Sequence, residues 1–463
     1  MPSTRSTRIA AALLVLSACS SVGGGAGVGG TGSLSSADSA SLELVRAAAV
    51  PITGAATDYD SLMALIGDAR FVLLGEATHG TQEFYQERAR ITQRLIQEKG
   101  FSGVAIEGEW PDAQGVHRFV RDDGGAATAE ESLRGFTSGF PQWMWANTAV
   151  RDLVVWMRQY NAGRPPEQQV GFYGLDVYSL FESADSVVAY LSRTDPAAAG
   201  RARERYECLR PYRGAPERYA AAAGQDPGRS CEEPSAAQAR EMEQLYARGG
   251  GDARARDERF SALQNARIVA EGEAYWRAQW EGGPAPWNAR DRHMAMTLEH
   301  LGDHLAAQGR TPRIVVWAHN THAGDARLTA MGQGGEWNVG QLMRVAFEGE
   351  AILVGFTTYH GTVLAAEDWD GPARVRRLNP ALPESYSALF HRTGLPAFLM
   401  TFRGREELSR AMGEPRLERA VGVIYRPRTE RQSHYFTAML SRQFDAVIHI
   451  DSTTAVTALP VRR

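Results

Sequence analysis

Three cysteines in 463 residues are too few for a disulfide-framed fold, and they do not form a cysteine-ligated metal pattern. No run of lysine and arginine stands out and the formal net charge is −4, so nucleic acid is not an expected partner. A Gly-x-Ser-x-Gly elbow is missing, as is a reactive cysteine, which argues against a covalent acyl-enzyme. Also missing are a His-Glu-x-x-His signature and an internal repeat of solenoid period. The bulk composition is ordinary, with 43% hydrophobic and 22% charged residues. That allows an ample core in one large α/β domain with an insertion, or in two domains.

The N-terminus reads as a targeting segment. Arg5 and Arg8 precede a short apolar stretch, Ile9 to Ala18, which is too short to span a bilayer as a mature helix. Leu16-Ser17-Ala18-Cys19 has the form of a bacterial lipobox. The expectation is a signal peptide over residues 1–18, a lipidated Cys19, and a Gly/Ser-rich tether over 19–41. Acyl chains contribute ~0.8 kcal/mol per buried methylene, so several chains give a stable anchor. The protein would then sit in the bacterial cell envelope, on the periplasmic or extracytoplasmic side. Cys208 and Cys231 remain as a pair in an oxidising compartment, where a bridge would contribute roughly 3 kcal/mol.

Beyond the tether, Leu42 to Ile66 reads as an entry segment containing a short helix. Phe71 to Leu74 reads as a buried strand, followed by a helix from about Thr81 to Glu98. The apolar stripe of that helix is Phe84, Ile91 and Leu95, and Arg88 lies on it. A guanidinium on an inward face needs a partner such as Glu76 or Glu107. Five strand-like runs end in polar residues: Glu76 and His79, Glu107, Asp176, His319 and His322, and Asp451. Residues 179–287 lack strand runs and read as a helical insertion, with helices near 182–191 and 255–280. Shorter strands are expected at Ile352 to Thr357, Phe398 to Thr401 and Val421 to Tyr425. The class is α/β, with a mainly parallel sheet flanked by helices and a large helical insertion. Ligands of such sheets gather beyond the strands' carboxyl ends, so the polar-tipped strands point to one convergent site.

The chemistry follows from the residue types. A histidine beside a carboxylate can take a proton from water near neutral pH, since the acid fixes its tautomer. His79 is the expected base, with Glu76 and Glu107 as orienting acids. His319 and His322 would polarise a carbonyl, stabilise an oxyanion or protonate a leaving alcohol. Asp291 reads as a structural partner. Tyr173 and Asp176 are pocket candidates, and Trp110, Trp143 and Trp145 wall a broad apolar pocket or pack in the core. A divalent transition metal (zinc, manganese or nickel) on Glu76, His79, Glu107, His319 and His322 is the alternative to metal-free chemistry.

The segments Gly75-Glu76-Ala77-Thr78-His79-Gly80-Thr81-Gln82-Glu83-Phe84 and Gly103-Val104-Ala105-Ile106-Glu107 resemble the erythromycin esterase family. So do Arg88, Gly171-Phe172-Tyr173-Gly174-Leu175-Asp176, Arg290-Asp291-x-x-Met294-Ala295 and Trp317-Ala318-His319-Asn320-Thr321-His322. The resemblance runs from about Leu62 to Leu459. It implies hydrolysis of a macrolactone ester by water, with His79 as base and Glu76, Arg88, Glu107, His319 and His322 around it. It implies a small-molecule ester substrate and, for some members, antibiotic resistance, and it leaves the choice between metal-free chemistry with no cofactor and a divalent transition metal open. The lipobox and the cysteine-bearing insertion depart from the resistance-enzyme pattern. Two other readings compete: a metal-dependent ester or peptide hydrolase, since Gly-Glu-x-x-His more distantly resembles Tiki-type metalloproteases, and a haem- or ligand-binding envelope lipoprotein.

Overall fold

Four consecutive apolar residues at Phe71–Leu74, all buried, form one central strand of a mainly parallel sheet. In this computed structural model, residues 35–136, 139–369 and 371–460 are described. The expected signal peptide, Cys19 and the tether up to residue 34 lie outside them. Ser36–Ala48 is a helix capped by the Ser35 side chain, so the tether does not extend to Ser41 as expected.

The strands in chain order are β1 (Val50–Pro51), β2 (Phe71–Leu74), β3 (Gly103–Glu109), β4 (Gly171–Asp176), β5 (Ile314–Trp317) and β6 (Ala351–Ala365). They continue with β7 (Arg374–Leu378), β8 (Ala397–Thr401), β9 (Arg416–Arg419), β10 (Tyr435–Ala438) and β11 (Ala446–Thr453). The main sheet runs β1-β8-β11-β6-β2-β5-β3-β4, with β7 pairing β6, while β9 and β10 form a separate ribbon. The run from β11 to β4 is parallel throughout; β8 and β1 close one edge antiparallel. Residues 421–425, expected as a strand, make only isolated bridges, from Val421 to Thr78 and from Ile424 to Ala366.

Side-chain alternation divides the sheet's apolar residues between two layers. Val72, Leu74, Val104, Ile106, Val315, Trp317 and Val354 face one core. Phe71, Leu73, Ala105, Ile314, Val316 and Leu353 face the other. The Gln82–Lys99 helix covers the first layer, and the Ala285–Ala307 helix covers the second. Residues 180–281 are helical with 3-10 turns, as the absence of strand runs suggested, and have a core of their own around Val187, Tyr219, Met242 and Leu263. Cys208 and Cys231 are disulfide-bonded within this region.

The chain passes from β2 to β3 without pairing them, and β5 later enters the gap. This places the carboxyl ends of β2, β5 and β3 side by side, where open α/β sheets form ligand crevices. The turn after β2 is tight. A Cβ on Gly80 would collide with the Leu364 carbonyl, so only glycine fits there.

Candidate active site

Glu76 and His79 follow β2, Glu107 lies in β3, and His319 and His322 follow β5; all five are at most 4% exposed. One oxygen of Glu76 accepts from His79 Nδ1 at 2.8 Å, and the other accepts from Arg88 Nη2 at 2.7 Å. Arg88 is fully buried beneath them. Its guanidinium lies over the rings of Tyr85 and Trp317, 4.5 and 4.7 Å from their centres, while Nε and Nη1 have no hydrogen-bond partner. The two ring faces offset part of the desolvation cost. Arg88 therefore supports Glu76 from behind. With Nδ1 donating to Glu76, His79 presents the Nε2 lone pair toward Glu107 Oε1, 4.0 Å away.

Glu107 is held on both oxygens. Oε2 accepts from the His319 backbone N–H at 2.8 Å, and Oε1 accepts from Arg290 Nη2 at 2.8 Å. Burial alone would raise its carboxyl, but His322, Arg290 and the His319 backbone N–H hold it well below the usual range. The Trp145 indole N–H donates to the Glu107 carbonyl at 3.0 Å, which fixes the strand end.

Arg290, on the Ala285–Ala307 helix, is the hub of the other half. It donates to Asp176 at 2.9 and 2.6 Å and lies 2.9 Å from His322 Nε2 through Nη1. His322 Nδ1 lies 2.9 Å from both oxygens of Asp291, and Trp287 stacks on the ring at 4.4 Å. Burial pushes the His322 imidazole down, but Asp291 and Glu107 outweigh it, so its pKa is raised. Burial pushes the Asp291 carboxyl up. With both ring nitrogens engaged, His322 supports the site rather than offering a free proton donor.

His319 is different. Its Nδ1 accepts from the Thr321 backbone N–H at 3.3 Å and shares a hydrogen bond with the Thr321 hydroxyl at 2.8 Å. Burial pushes the imidazole well below its ordinary value, so it is neutral near pH 7 and Nε2 carries the proton. That Nε2 has no aligned partner, although the Ala77 carbonyl is near enough to favour the charged form weakly. The His79 and His319 rings are 5.0 Å apart. Phe140 covers the site, 6.2 Å from the His79 ring and 5.0 Å from the Arg290 guanidinium, and Tyr178 flanks it.

Asp176 joins the cluster through Arg290, but Trp110 and Tyr173 do not. Tyr173, on the sheet face toward the insertion, packs on Trp110 at 5.7 Å, and the Trp110 indole donates to Ser261 at 3.1 Å. Both are core residues. Trp145 is buried in the core and half-buried Trp143 packs against it, so the expected tryptophan wall is not built from these three residues. Asp451 pairs with His391 at 2.7 Å and does not enter the site. The proposed metal ligands do not fit a cation as they stand, because the Arg290 guanidinium already engages both Glu107 Oε1 and His322 Nε2, which lie 3.4 Å apart. Among the described residues no three histidine, cysteine or acidic side chains are arranged to hold a metal. The sequence assigns Arg290 no role in the site, although it lies four residues before Met294 and eight before Leu298, on the buried face of its helix.

Fold and cluster together define an open α/β protein with a buried Glu–His–Glu group at the carboxyl ends of β2 and β3, braced by two arginines. The chain belongs to the erythromycin esterase family, whose model matches residues 96–453. Glu76, His79 and Arg88 precede the matched stretch. Among curated proteins the chain is similar to erythromycin esterase type II of Escherichia coli, 26% identical over 120 residues. The match spans about a quarter of each protein, 26% of this chain and 26% of that one. Among solved structures, a protein described as a succinoglycan biosynthesis protein is 19% identical with a TM-score of 0.75, over 92% of this chain and 100% of that one. A Bacillus cereus protein is 20% identical with a TM-score of 0.76, over 91% and 99%. An erythromycin esterase mutant of EreC in its open conformation is 16% identical with a TM-score of 0.58, over 85% and 93%. At these identities the likeness to solved structures is one of fold.

Proposed function

We propose that the chain is a carboxylic-ester hydrolase in which His79 activates water directly, with macrolactones as the narrow substrate class. The carrying observation is the 4.0 Å gap between His79 Nε2 and Glu107 Oε1, with His79 Nδ1 tied to Glu76 at 2.8 Å. One water placed roughly 2.8 Å from each of those two atoms would be aligned by both. His79 Nε2 takes a proton as the water oxygen attacks the ester carbonyl. The developing oxyanion meets the His319 Nε2–H, which has no aligned partner in a site from which bulk water is excluded. Collapse expels the alkoxide, which receives the proton from His79; the products are an acid and an alcohol. Glu76, Arg88, Glu107, Arg290 and His322 hold these groups in place. Family membership supports the reaction class, and this reading uses no cofactor.

Anchoring by an acylated Cys19 in the cell envelope completes the proposal. Labelling with a fatty-acid probe, lost in Cys19→Ala, tests it. For the reaction, purified protein is incubated with erythromycin, other macrolides and simple aryl esters, and products are analysed by mass spectrometry. Gain of one water by a macrolide supports the narrow version. Turnover of simple esters alone removes macrolactones, and no ester turnover at all refutes the hydrolase. Activity should survive chelation; stoichiometric bound metal together with loss on chelation would overturn the metal-free chemistry.

A further inference from the structure

Asn320 joins the two halves of the site. Its backbone N–H donates to the Glu76 carbonyl at 2.8 Å, and it opens the short Asn320–Ala323 helix, which is capped by His319 and carries His322. Its side chain is clamped on β6, donating to the Phe356 carbonyl at 2.8 Å and accepting from the Phe356 N–H at 3.2 Å. It leaves no room for a Cβ on Gly75, the residue before Glu76. Beneath Asn320 lies Glu418, 2% exposed, on the β9–β10 ribbon and paired there with Phe436. Glu418 Oε1 accepts from Asn320 Nδ2 at 2.9 Å, whereas Oε2 has no partner. The Gln443 carbonyl oxygen is also without a partner.

We propose that Glu418 is a positioning residue that, through Asn320, sets the spacing between the Glu76–His79 turn and the His319–His322 turn. The inference rests on the hydrolytic reading of that site. The groups facing Glu418 are the Asn320 and Gln443 amides and the Tyr386 phenol. The charged neighbours on its own strand are engaged elsewhere, Arg416 with Asp38 and Arg419 with Glu430. With no cation against it, burial pushes the Glu418 carboxyl up to about 7. Ionisation leaves a buried charge on the residue that holds Asn320.

The test uses the full chain with Glu418→Gln and Glu418→Ala. Both are followed from about pH 5.5 to 9, across the titration of Glu418. The readouts are kcat and KM on one ester, the thermal midpoint, and the imidazole resonances of His79, His319 and His322. Wild-type kcat is expected to fall as pH rises through about 7. Glu418→Gln, an uncharged isostere, should keep kcat within about threefold below pH 7 and lose that fall. Folded Glu418→Ala should lose about tenfold or more in kcat with KM changed less than about threefold, and should shift the His319 and His322 resonances. Wild-type kcat and unshifted resonances in folded Glu418→Ala would overturn the proposal, as would a fall through pH 7 that persists in Glu418→Gln. If the wild type hydrolyses no ester, the reaction is refuted, and the resonances alone decide the role of Glu418.

Discussion

Replacing Arg290 by methionine removes the cation shared by both halves of the site while keeping most of the side-chain volume. In the native protein Arg290 contacts Asp176 at 2.6 and 2.9 Å, Glu107 at 2.8 Å and His322 at 2.9 Å, and it is 5% exposed. Methionine leaves Glu107 and Asp176 buried without their common partner. Breaking a buried pair in this way costs roughly 3–5 kcal/mol, mostly the desolvation of the charges left behind. Loss of the guanidinium over Phe140 and Tyr178 adds up to about 1 kcal/mol. Urea unfolding at pH 8 should therefore place the variant some 3–5 kcal/mol below wild type.

The pH dependence has a definite sign. In wild type the Glu107 carboxyl lies below its ordinary value of 4.5, so its contribution is present above that pH and lost in acid. In the variant, burial acts without Arg290 and the carboxyl rises. Folded variant then binds protons that the unfolded chain does not, and acid stabilises it. The gap between the two proteins should narrow from pH 8 to pH 5. Adding Asp176→Asn to the variant removes one orphaned charge and should recover roughly 1–3 kcal/mol. A loss below about 1 kcal/mol at pH 8, or a gap that widens on acidification, would refute the placement of Arg290 between two buried carboxylates.

His79→Ala should lower kcat/KM about 10²–10⁴-fold on whichever ester the wild type turns over, since it removes the base. Because Glu76 keeps Arg88 at 2.7 Å, the thermal midpoint should move little; a residual rate within about tenfold of wild type would sink the assignment. Acid should destabilise the whole fold. Burial pushes His117 down to about 3 and His293 and His434 to about 4, so between those values and 6.5 only the unfolded chain binds these protons. Each contributes a slope of about 1.4 kcal/mol per pH unit, opposed in part by Glu418, whose raised value acts the other way between 4.5 and 7. The urea midpoint should therefore fall from pH 7 to pH 5, and a flat or rising midpoint would contradict it.

Much of the site was legible because buried parallel strands are written as uninterrupted apolar runs, and the chemistry begins at the residue where each run stops. Phe71–Leu74 followed by Glu76 and His79 shows this, as does Ile314–Trp317 followed by His319 and His322. Arg88 was legible for a related reason, since a guanidinium four residues after Phe84 and three before Ile91 must face inward. The same rule applies to Arg290, which precedes Met294, Leu298, Leu301 and Leu305 at helical spacings on a buried face. The sequence marks it only as part of the family-like segment Arg290-Asp291-x-x-Met294-Ala295, with no role in the site. Composition could not place the tryptophans. Trp110 and Trp145 are both core, while Trp287 stacks on His322.

Strand order explains the two acid-tipped strands that behaved differently. Asp451 lies two residues before the end of β11, which is separated from β2 by β6, two strand spacings or roughly 10 Å. A short aspartate side chain cannot cover that distance, and it settles instead on His391 and His449. Asp176 ends β4, which is equally far from β5 because β3 lies between them. It nevertheless belongs to the site, since Arg290 reaches Asp176, Glu107 and His322 from the helix above. Local sequence marks which strand ends are polar. Which of them meet depends on the late entry of β5 between β2 and β3, and on one long cation placed to bridge the strand that remains out of reach.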